Sequence, residues 1–181
     1  QEAGVESGVV NASGDLTTWG TQVNGEKWTI GIVHPEMAEH VFSYMRISGL
    51  SVATSGNYEK CVMIDGKKYS HTINPKTGLP ITGIKSVTIL STNAEIADAM
   101  ATPVMIMGIG AGIDMINQIK DIEAIVIDDD NRLYTSNNFE LIPKAGWIYY
   151  VVLNVNPAVS ATITDPVKKA YFDSWLTKYK G

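Results

Sequence analysis

Cysteine is almost absent. Cys61 stands alone among 181 residues, which excludes an internal disulfide. Basic clusters are missing too. The 14 Lys and Arg against 19 Asp and Glu give a formal net charge of -5, a poor match to a nucleic-acid partner. No apolar run approaches the roughly 20 residues of a membrane-spanning helix. Neither a Gly-x-Gly-x-x-Gly nor a Walker-type Gly-Lys-Ser/Thr segment occurs, so nucleotide binding by a dinucleotide fold or a P-loop is not signalled. Internal repeats, low-complexity tracts and linkers are lacking, as are an initiator methionine and a signal peptide. Gln1-Glu2-Ala3-Gly4 reads as the tail of a helix begun upstream and stopped by Gly4; a processed or truncated product is expected.

What is present is a globular composition, 45% hydrophobic and 18% charged, in a chain long enough for one domain with a sizeable core. Residues 8–11 read as a short buried strand ending in a polar turn, and residues 28–33 as a second strand stopped by His34-Pro35. Residues 41–47 and 50–54 are expected to pair around Ser48-Gly49. Residues 61–64 and 68–71 bracket Asp65-Gly66, a strong hairpin signal because glycine tolerates positive φ. Cys61 falls in that hairpin and reads as a small buried hydrophobe. Residues 85–90 form a central strand.

The period then changes. Thr92 and Glu95 have the spacing of a capping box. They open a helix to about Met107, with Ile96, Met100 and Val104 toward the core. A second helix follows the break at Gly108-Ile109-Gly110 and spans residues 111–120; residues 122–127 and 132–135 form a hairpin around Asp128-Asp129-Asp130-Asn131. Residues 147–155 form an apolar strand, and Asp165-Pro166 starts a last helix with Val167, Tyr171, Trp175 and Tyr179 on one packing face. The class is α+β, mainly antiparallel sheet with helices segregated in sequence.

Two segments offer chemistry. Asp98 and Thr102 lie four apart on a helix and share a face. They are either two hard oxygen ligands for a cation whose shell a nucleotide completes, or a carboxylate favoured near the helix N-terminus and a hydroxyl bonded back to a carbonyl. Pro103 leaves the Ala99 carbonyl without its helical donor and is expected to kink the helix. His71 enters the loop Thr72-Ile73-Asn74-Pro75-Lys76-Thr77-Gly78. A histidine there can serve as a base near neutral pH, with Lys76 and Thr77 toward phosphate; the alternative is a plain surface turn. His34 and His40, the latter in an expected short helix, read as structural or exposed. The polar loops Asn11-Ala12-Ser13-Gly14-Asp15 and Thr54-Ser55-Gly56-Asn57-Tyr58 add amides and hydroxyls that can cradle a nucleotide.

Those segments, with Tyr69-Ser70-His71-Thr72 and Ala97-Asp98-Ala99-Met100-Ala101-Thr102, resemble the ordered motifs of the ApbE-type FAD:protein FMN transferases. Order and spacing match across residues 1–140. The resemblance implies an ApbE-like fold for residues 1–146, the C-terminal part of such a domain, with residues 147–181 extending it. It implies an exported bacterial enzyme, often a lipoprotein anchored to the periplasmic side of the inner membrane, that uses Mg²⁺ to move FMN from FAD to a Thr or Ser hydroxyl of an acceptor flavoprotein, releasing AMP. By position, Asp98 and Thr102 correspond to metal ligands and His71 to the residue essential for transfer. Asn11, Gly14, Asp15, Ser55, Gly56, His71, Thr72 and Thr77 correspond to the flavin-nucleotide contacts. The alternatives are an Mg²⁺-dependent FAD pyrophosphatase giving FMN and AMP, a flavin-storage protein without turnover, or a structural remnant.

Three departures accompany the resemblance. Ser13 replaces a usual second glycine, and Pro103 replaces a small helix former. The family's large segment upstream of the Asn11 motif, with flavin contacts and a backbone metal ligand, has no counterpart in these residues. The sequence is therefore expected to be a C-terminal half that needs the other part to bind FAD.

Overall fold

Alternating β-branched and polar residues, broken by left-handed turns, dominate the first ninety positions and yield strands. The computed structural model describes residues 4–34, 37–57 and 61–139, all within one compact unit, Gln1–Val151. The strand and helix expected between residues 147 and 181 lie outside the described residues, as does the helix tail before Gly4.

Six strands form one antiparallel sheet: β1 (Gly8–Ala12), β2 (Asp15–Trp19), β5 (Ser51–Gly56), β8 (Ile84–Ser91), β9 (Ile122–Asp128) and β10 (Leu133–Thr135), in the order β1-β2-β5-β8-β9-β10. β3 (Trp28–His34) pairs with β4 (Met37–Ile47), and β6 (Cys61–Ile64) with β7 (Lys67–Ser70), as separate two-stranded ribbons. Helices α1 (Ala94–Met107) and α2 (Ile109–Ile116) follow β8. None of the described helices is long and apolar enough to cross a membrane.

Strand alternation sends successive side chains to opposite faces, and each face has its own cover. Ala53, Val87, Ile89, Ala124 and Val126 pack under Ala97, Ala101, Val104 and Met105 of α1 and Ile116 of α2. Val52, Leu90, Ile125, Ile127 and Leu133 pack against Ile32, Met45 and Ile47 of the β3–β4 ribbon. Trp28 Nε1 ties that ribbon to the sheet by donating to the Trp19 carbonyl at 3.0 Å.

Several expectations need correction. Residues 41–47 and 50–54 do not pair: β4 turns back on β3, while β5 enters the sheet between β2 and β8. Ser48-Gly49 therefore joins two layers, not two neighbours. β2 went unread because its Thr17 and Thr18 are polar. Thr17 shares a hydroxyl contact with Ser51 at 2.9 Å, and Thr18 is buried, its hydroxyl donating to the Leu50 carbonyl. β1 is an exposed edge strand rather than a buried one. His40 belongs to β4, not to a helix. Cys61 is exposed, because the β6–β7 ribbon stands off the main sheet. The Asp65-Gly66 turn is as read, with φ of 50° and 75°.

Helix α1 is capped by Asn93, whose side-chain oxygen accepts the Ile96 N–H at 3.1 Å, not by Thr92. Of the residues expected toward the core, Val104 is buried and Met100 packs against the core, but Ile96 is exposed; Ala97, Ala101 and Met105 complete the buried face. α2 ends at Ile116, four residues before the expected stop at Lys120. α1 runs through Pro103 to Met107.

Candidate functional site

The register of the antiparallel strands decides where the polar loops go. β2 runs against β5 with Leu16 opposite Val52 and Thr17 opposite Ser51, so the β1–β2 turn lies toward the Thr54–Gly56 end of β5. In turn β5 runs against β8 with Ser55 opposite Val87 and Gly56 opposite Ser86. The start of β8, and with it the loop that follows His71, belongs to the same end. β9 runs against β8 with Asp128 opposite Ile84, which brings the Asp128–Asn131 turn there as well. Four polar segments scattered over the sequence thus share one edge of one sheet.

Helix α1 begins at the opposite end, after β8, and returns along the sheet. From Ala94 to Thr102 it rises about 12 Å at 1.5 Å per residue. From Ser91 back to Val87 β8 spans about 13 Å. The helix should therefore bring Thr102 over Ser55, and it does: their hydroxyl oxygens are 3.4 Å apart. Strand alternation gives the same answer, since Ser51, Ala53 and Ser55 share the helix-facing side. Asp15 shares that side with Thr17 by the same rule. Asp98, one turn before Thr102 on the same exposed helix face, adds a carboxylate. Pro103 withholds an N–H from the Ala99 carbonyl, so carboxylate, hydroxyl and carbonyl oxygens lie within one turn. Among the described residues no group of three or more His, Cys, Asp or Glu could hold a metal by itself. The oxygen set suits a hard cation that takes the rest of its shell from a bound molecule.

The His71 segment is a tight, self-bonded loop. Ser70 is buried, and its hydroxyl accepts the Thr72 N–H at 3.1 Å. Asn74 organises the tip: its carbonyl accepts from Gly78 at 2.8 Å and Thr77 at 3.3 Å, and its side chain accepts from Lys76 at 2.9 Å. The Thr77 hydroxyl accepts the Leu79 N–H at 3.2 Å, which leaves its proton free to donate elsewhere. The Thr72 carbonyl accepts from Ile81 at 3.0 Å. Ile81 is buried in the same core as Ala97 and Ala101 of α1, so the loop is seated on the layer that carries Asp98 and Thr102. His71 is exposed at its entry.

At the sheet edge the Asn11 side chain accepts the Gly14 N–H at 2.9 Å, shaping the β1–β2 turn. Ser13 holds a left-handed φ of 56° and Gly14 a φ of 113°; serine thus occupies a conformation that glycine adopts more cheaply. Asn57 ties the β5 loop to the start of β8, its backbone N–H donating to the Lys85 carbonyl at 2.8 Å and its side chain to the Ile84 carbonyl.

Sequence reading missed four residues of this end: Asn74, Lys85, Asp129 and Asn131. Lys85 Nζ donates to Asn131 Oδ1 at 2.9 Å, and Asp129 Oδ2 accepts the Gly83 N–H at 2.8 Å. Beside them Asp128 is buried. Its carboxylate accepts from the backbone of Asp130 and Arg132 and from the Tyr134 hydroxyl at 3.0 Å. Burial first, then this hydrogen bond and the Asp128 charge, push the Tyr134 phenol above its usual range. The acid-rich tetrapeptide was the available signal, and it reads as an ordinary hairpin turn until register is known.

The chain is therefore an α+β domain that gathers hydroxyl, amide and carboxylate groups at one end of an antiparallel sheet, where the loop that follows His71 enters the sheet. Comparison with known proteins narrows that class. The model of the ApbE family matches residues 1–126, and the chain belongs to that family. The FAD:protein FMN transferase of Vibrio cholerae is 33% identical over 144 residues, covering 77% of this chain and 43% of the relative. One from Klebsiella pneumoniae is 32% identical over 135 residues, 74% of this chain and 41% of the relative. The crystal structure of the ApbE protein from Thermotoga maritima superposes with a TM-score of 0.66 at 30% identity, over 74% of this chain and 43% of that one. The flavin transferase ApbE from Vibrio cholerae gives 0.64 at 32% identity, over 77% and 45%. The chain spans less than half the length of these relatives.

Proposed function

We propose that the polypeptide carrying this chain transfers FMN from FAD to a Thr or Ser hydroxyl of an acceptor flavoprotein and releases AMP. The observation that carries the reading is the meeting of Ser55 and Thr102 at the sheet end that also receives the His71 loop, in a chain of the ApbE family. The transferase names of its relatives support the activity.

The chemistry follows from the residues. In the reaction the acceptor oxygen bonds to the flavin-side phosphorus while the bond from that phosphorus to the bridging oxygen breaks and AMP departs. An alcohol oxygen attacks poorly while it keeps its proton, and His71 is assigned to take it. Asp98 and Thr102 are assigned to hold Mg²⁺, with hard oxygens of the kind that ion requires. When bound, the ion neutralises the pyrophosphate oxygens and steadies the leaving phosphate. Asn11, Gly14, Asp15, Ser55, Gly56, Thr72 and Thr77 are assigned to the flavin nucleotide. Export and lipid anchoring on the periplasmic side complete the proposal, with cell fractionation as their check.

The test incubates the purified protein with FAD, Mg²⁺ and a Thr-containing acceptor peptide, then reads flavin fluorescence on a denaturing gel and AMP in solution. A fluorescent acceptor band with stoichiometric AMP supports transfer. Free FMN with AMP supports hydrolysis, and yellow protein with intact FAD supports storage; either result overturns transfer. Asp98→Ala should abolish Mg²⁺-dependent AMP release, and unchanged turnover in that variant removes Asp98 from the mechanism.

A further inference from the structure

The His71 loop returns to the sheet through Gly83 and Ile84, and this return point is irregular. The register between β8 and β9 shifts between Ile84 and Ser86, so Lys85 is the extra residue of a β-bulge. Bulges bend a strand and re-aim what precedes it, and their direction has to be held by other contacts. Here both sides are held. On one side Asn57 bonds the carbonyls of Ile84 and Lys85. On the other, the β9–β10 turn reaches back with Asp129 Oδ2 to the Gly83 N–H at 2.8 Å and with Asn131 Oδ1 to Lys85 Nζ at 2.9 Å.

The turn itself is rigidly built. Asp128 is 6% exposed, and its Oδ1 accepts the N–H groups of both Asp130 and Arg132, at 2.9 and 2.8 Å. The Asp128 carbonyl accepts the Asn131 N–H at 3.1 Å, and the Arg132 carbonyl accepts the Asp128 N–H at 3.0 Å. A buried carboxylate shapes the turn, and the exposed carboxylate beside it is thereby aimed at the loop. From Gly83 the constraint runs two residues back to Ile81 and across its bond to Thr72, next to His71.

We propose that the Asp128–Asn131 turn is a positioning device for the His71 loop, acting through the Asp129–Gly83 hydrogen bond at the β8 bulge. It rests on the transferase reading only for the claim that loop position matters to turnover. Asp129 is a positioning residue: it orders the backbone whose far end carries the imidazole.

The test compares Asp129→Ala, Asp129→Asn and Asp130→Ala in the otherwise intact protein. Asp129 is exposed, so its replacement leaves the core unchanged. The asparagine keeps an acceptor oxygen. Asp130 makes its side-chain ion pair with Arg132 at 3.2 Å, not with the loop, and serves as the control. Amide hydrogen exchange is the first readout. Asp129→Ala should speed exchange about tenfold at Gly83 and, by propagation, at Ile81, Gly78 and Asn74, while the other two variants match wild type. Faster exchange confined to Gly83, or none, overturns the proposal whether or not flavin transfer is detected. Flavin transfer is the second readout: kcat should fall about tenfold in Asp129→Ala with KM for FAD within twofold, and recover in Asp129→Asn. An unchanged kcat alongside a loosened loop overturns the positioning role. Absence of transfer in wild type counts against the transferase reading alone, and exchange still decides the clamp.

Discussion

Gly112 sets how closely α2 approaches α1, and its replacement by alanine tests the link from packing to site. A Cβ built at Gly112 meets Val104 Cγ1 at 2.8 Å, the Val104 carbonyl oxygen at 2.9 Å and Val104 Cα at 3.3 Å. A rotamer change can move the first of these. The other two are backbone, and they yield only if the helices separate. Overpacking of this kind costs about 1–3 kcal/mol. Gly→Ala in a helix interior returns about 1 kcal/mol through propensity. The net expectation for Gly112→Ala is a loss of about 1 kcal/mol, or a fall of about 4 °C in Tm for a domain this size. Val104 lies two residues beyond Thr102 on α1, so the displacement should also open the 3.4 Å Ser55–Thr102 approach and lower Mg²⁺-dependent AMP release more than FAD binding. Thermal unfolding and AMP release together form the assay. A Tm equal to or above wild type would refute the close helix contact, because the propensity gain would then stand unopposed.

Three further outcomes follow from local structure. Asn93→Ala should destabilise α1 by about 1 kcal/mol through loss of its cap, whereas Thr92→Ala should stay within about 0.5 kcal/mol; denaturant midpoints of the two variants separate the rival caps. Ser13→Gly should stabilise by about 0.5–1 kcal/mol, because serine holds a left-handed φ of 56° at a cost glycine avoids, and an unchanged midpoint would put the turn in another conformation. Tyr134 has a raised pKa in the folded state, from burial first and from Asp128 second. Stability from this group is fully present below the unfolded tyrosine value of about 10 and is lost as pH rises through the folded value. Tyr134→Phe should therefore flatten the alkaline fall in stability, and an unaltered slope above pH of about 10 would remove the Tyr134–Asp128 bond from the account.

Local signals carried much of the fold. The Asp65-Gly66 hairpin, the central strand near residues 85–90, the helix to Met107 and the hairpin ending at Thr135 all appear at or near the expected positions. Their cues are short-range: left-handed turns, strand alternation and a change of period. Pairing is long-range and was misread where two strands follow each other closely. Residues 41–47 and 50–54 look like a hairpin because only a Ser-Gly turn lies between them. The chain instead crosses from the β3–β4 layer into the main sheet, since Met45 and Ile47 pack on the face formed by Val52, Leu90 and Ile125. β2 was hidden for a different reason. Its buried Thr18 is satisfied by the Leu50 carbonyl, a compensation that hydropathy does not register. At α1 Val104 is buried and Met100 packs against the core as expected, while Ile96 is exposed and the small Ala97 and Ala101 lie against the sheet instead, a close fit that hydropathy does not signal.

The candidate site was legible as parts and not as an arrangement. Its polar loops, the histidine turn and the Asp98–Thr102 pair each have a mundane local explanation, and their spacing along the chain says nothing about distance. Antiparallel topology supplies the missing step. With β2, β5, β8 and β9 each reversing its neighbour, the β1–β2 turn, the end of β5, the entry to β8 and the β9–β10 turn must lie on one edge. A helix that starts after β8 and lies back across the sheet then has to bring its second half to that edge. Thr102 meets Ser55 because a helix rise of 1.5 Å per residue and a strand rise of about 3.3 Å make eight helical residues equal to four strand residues. The match depends on where α1 begins: starting it one turn earlier in the sequence would carry Asp98, not Thr102, to the place opposite Ser55. Helix start and strand register are thus coupled constraints on the oxygen pair. Asn93 and the Ser91 hydroxyl that accepts its N–H at 3.2 Å contribute to the site from the opposite end of the sheet.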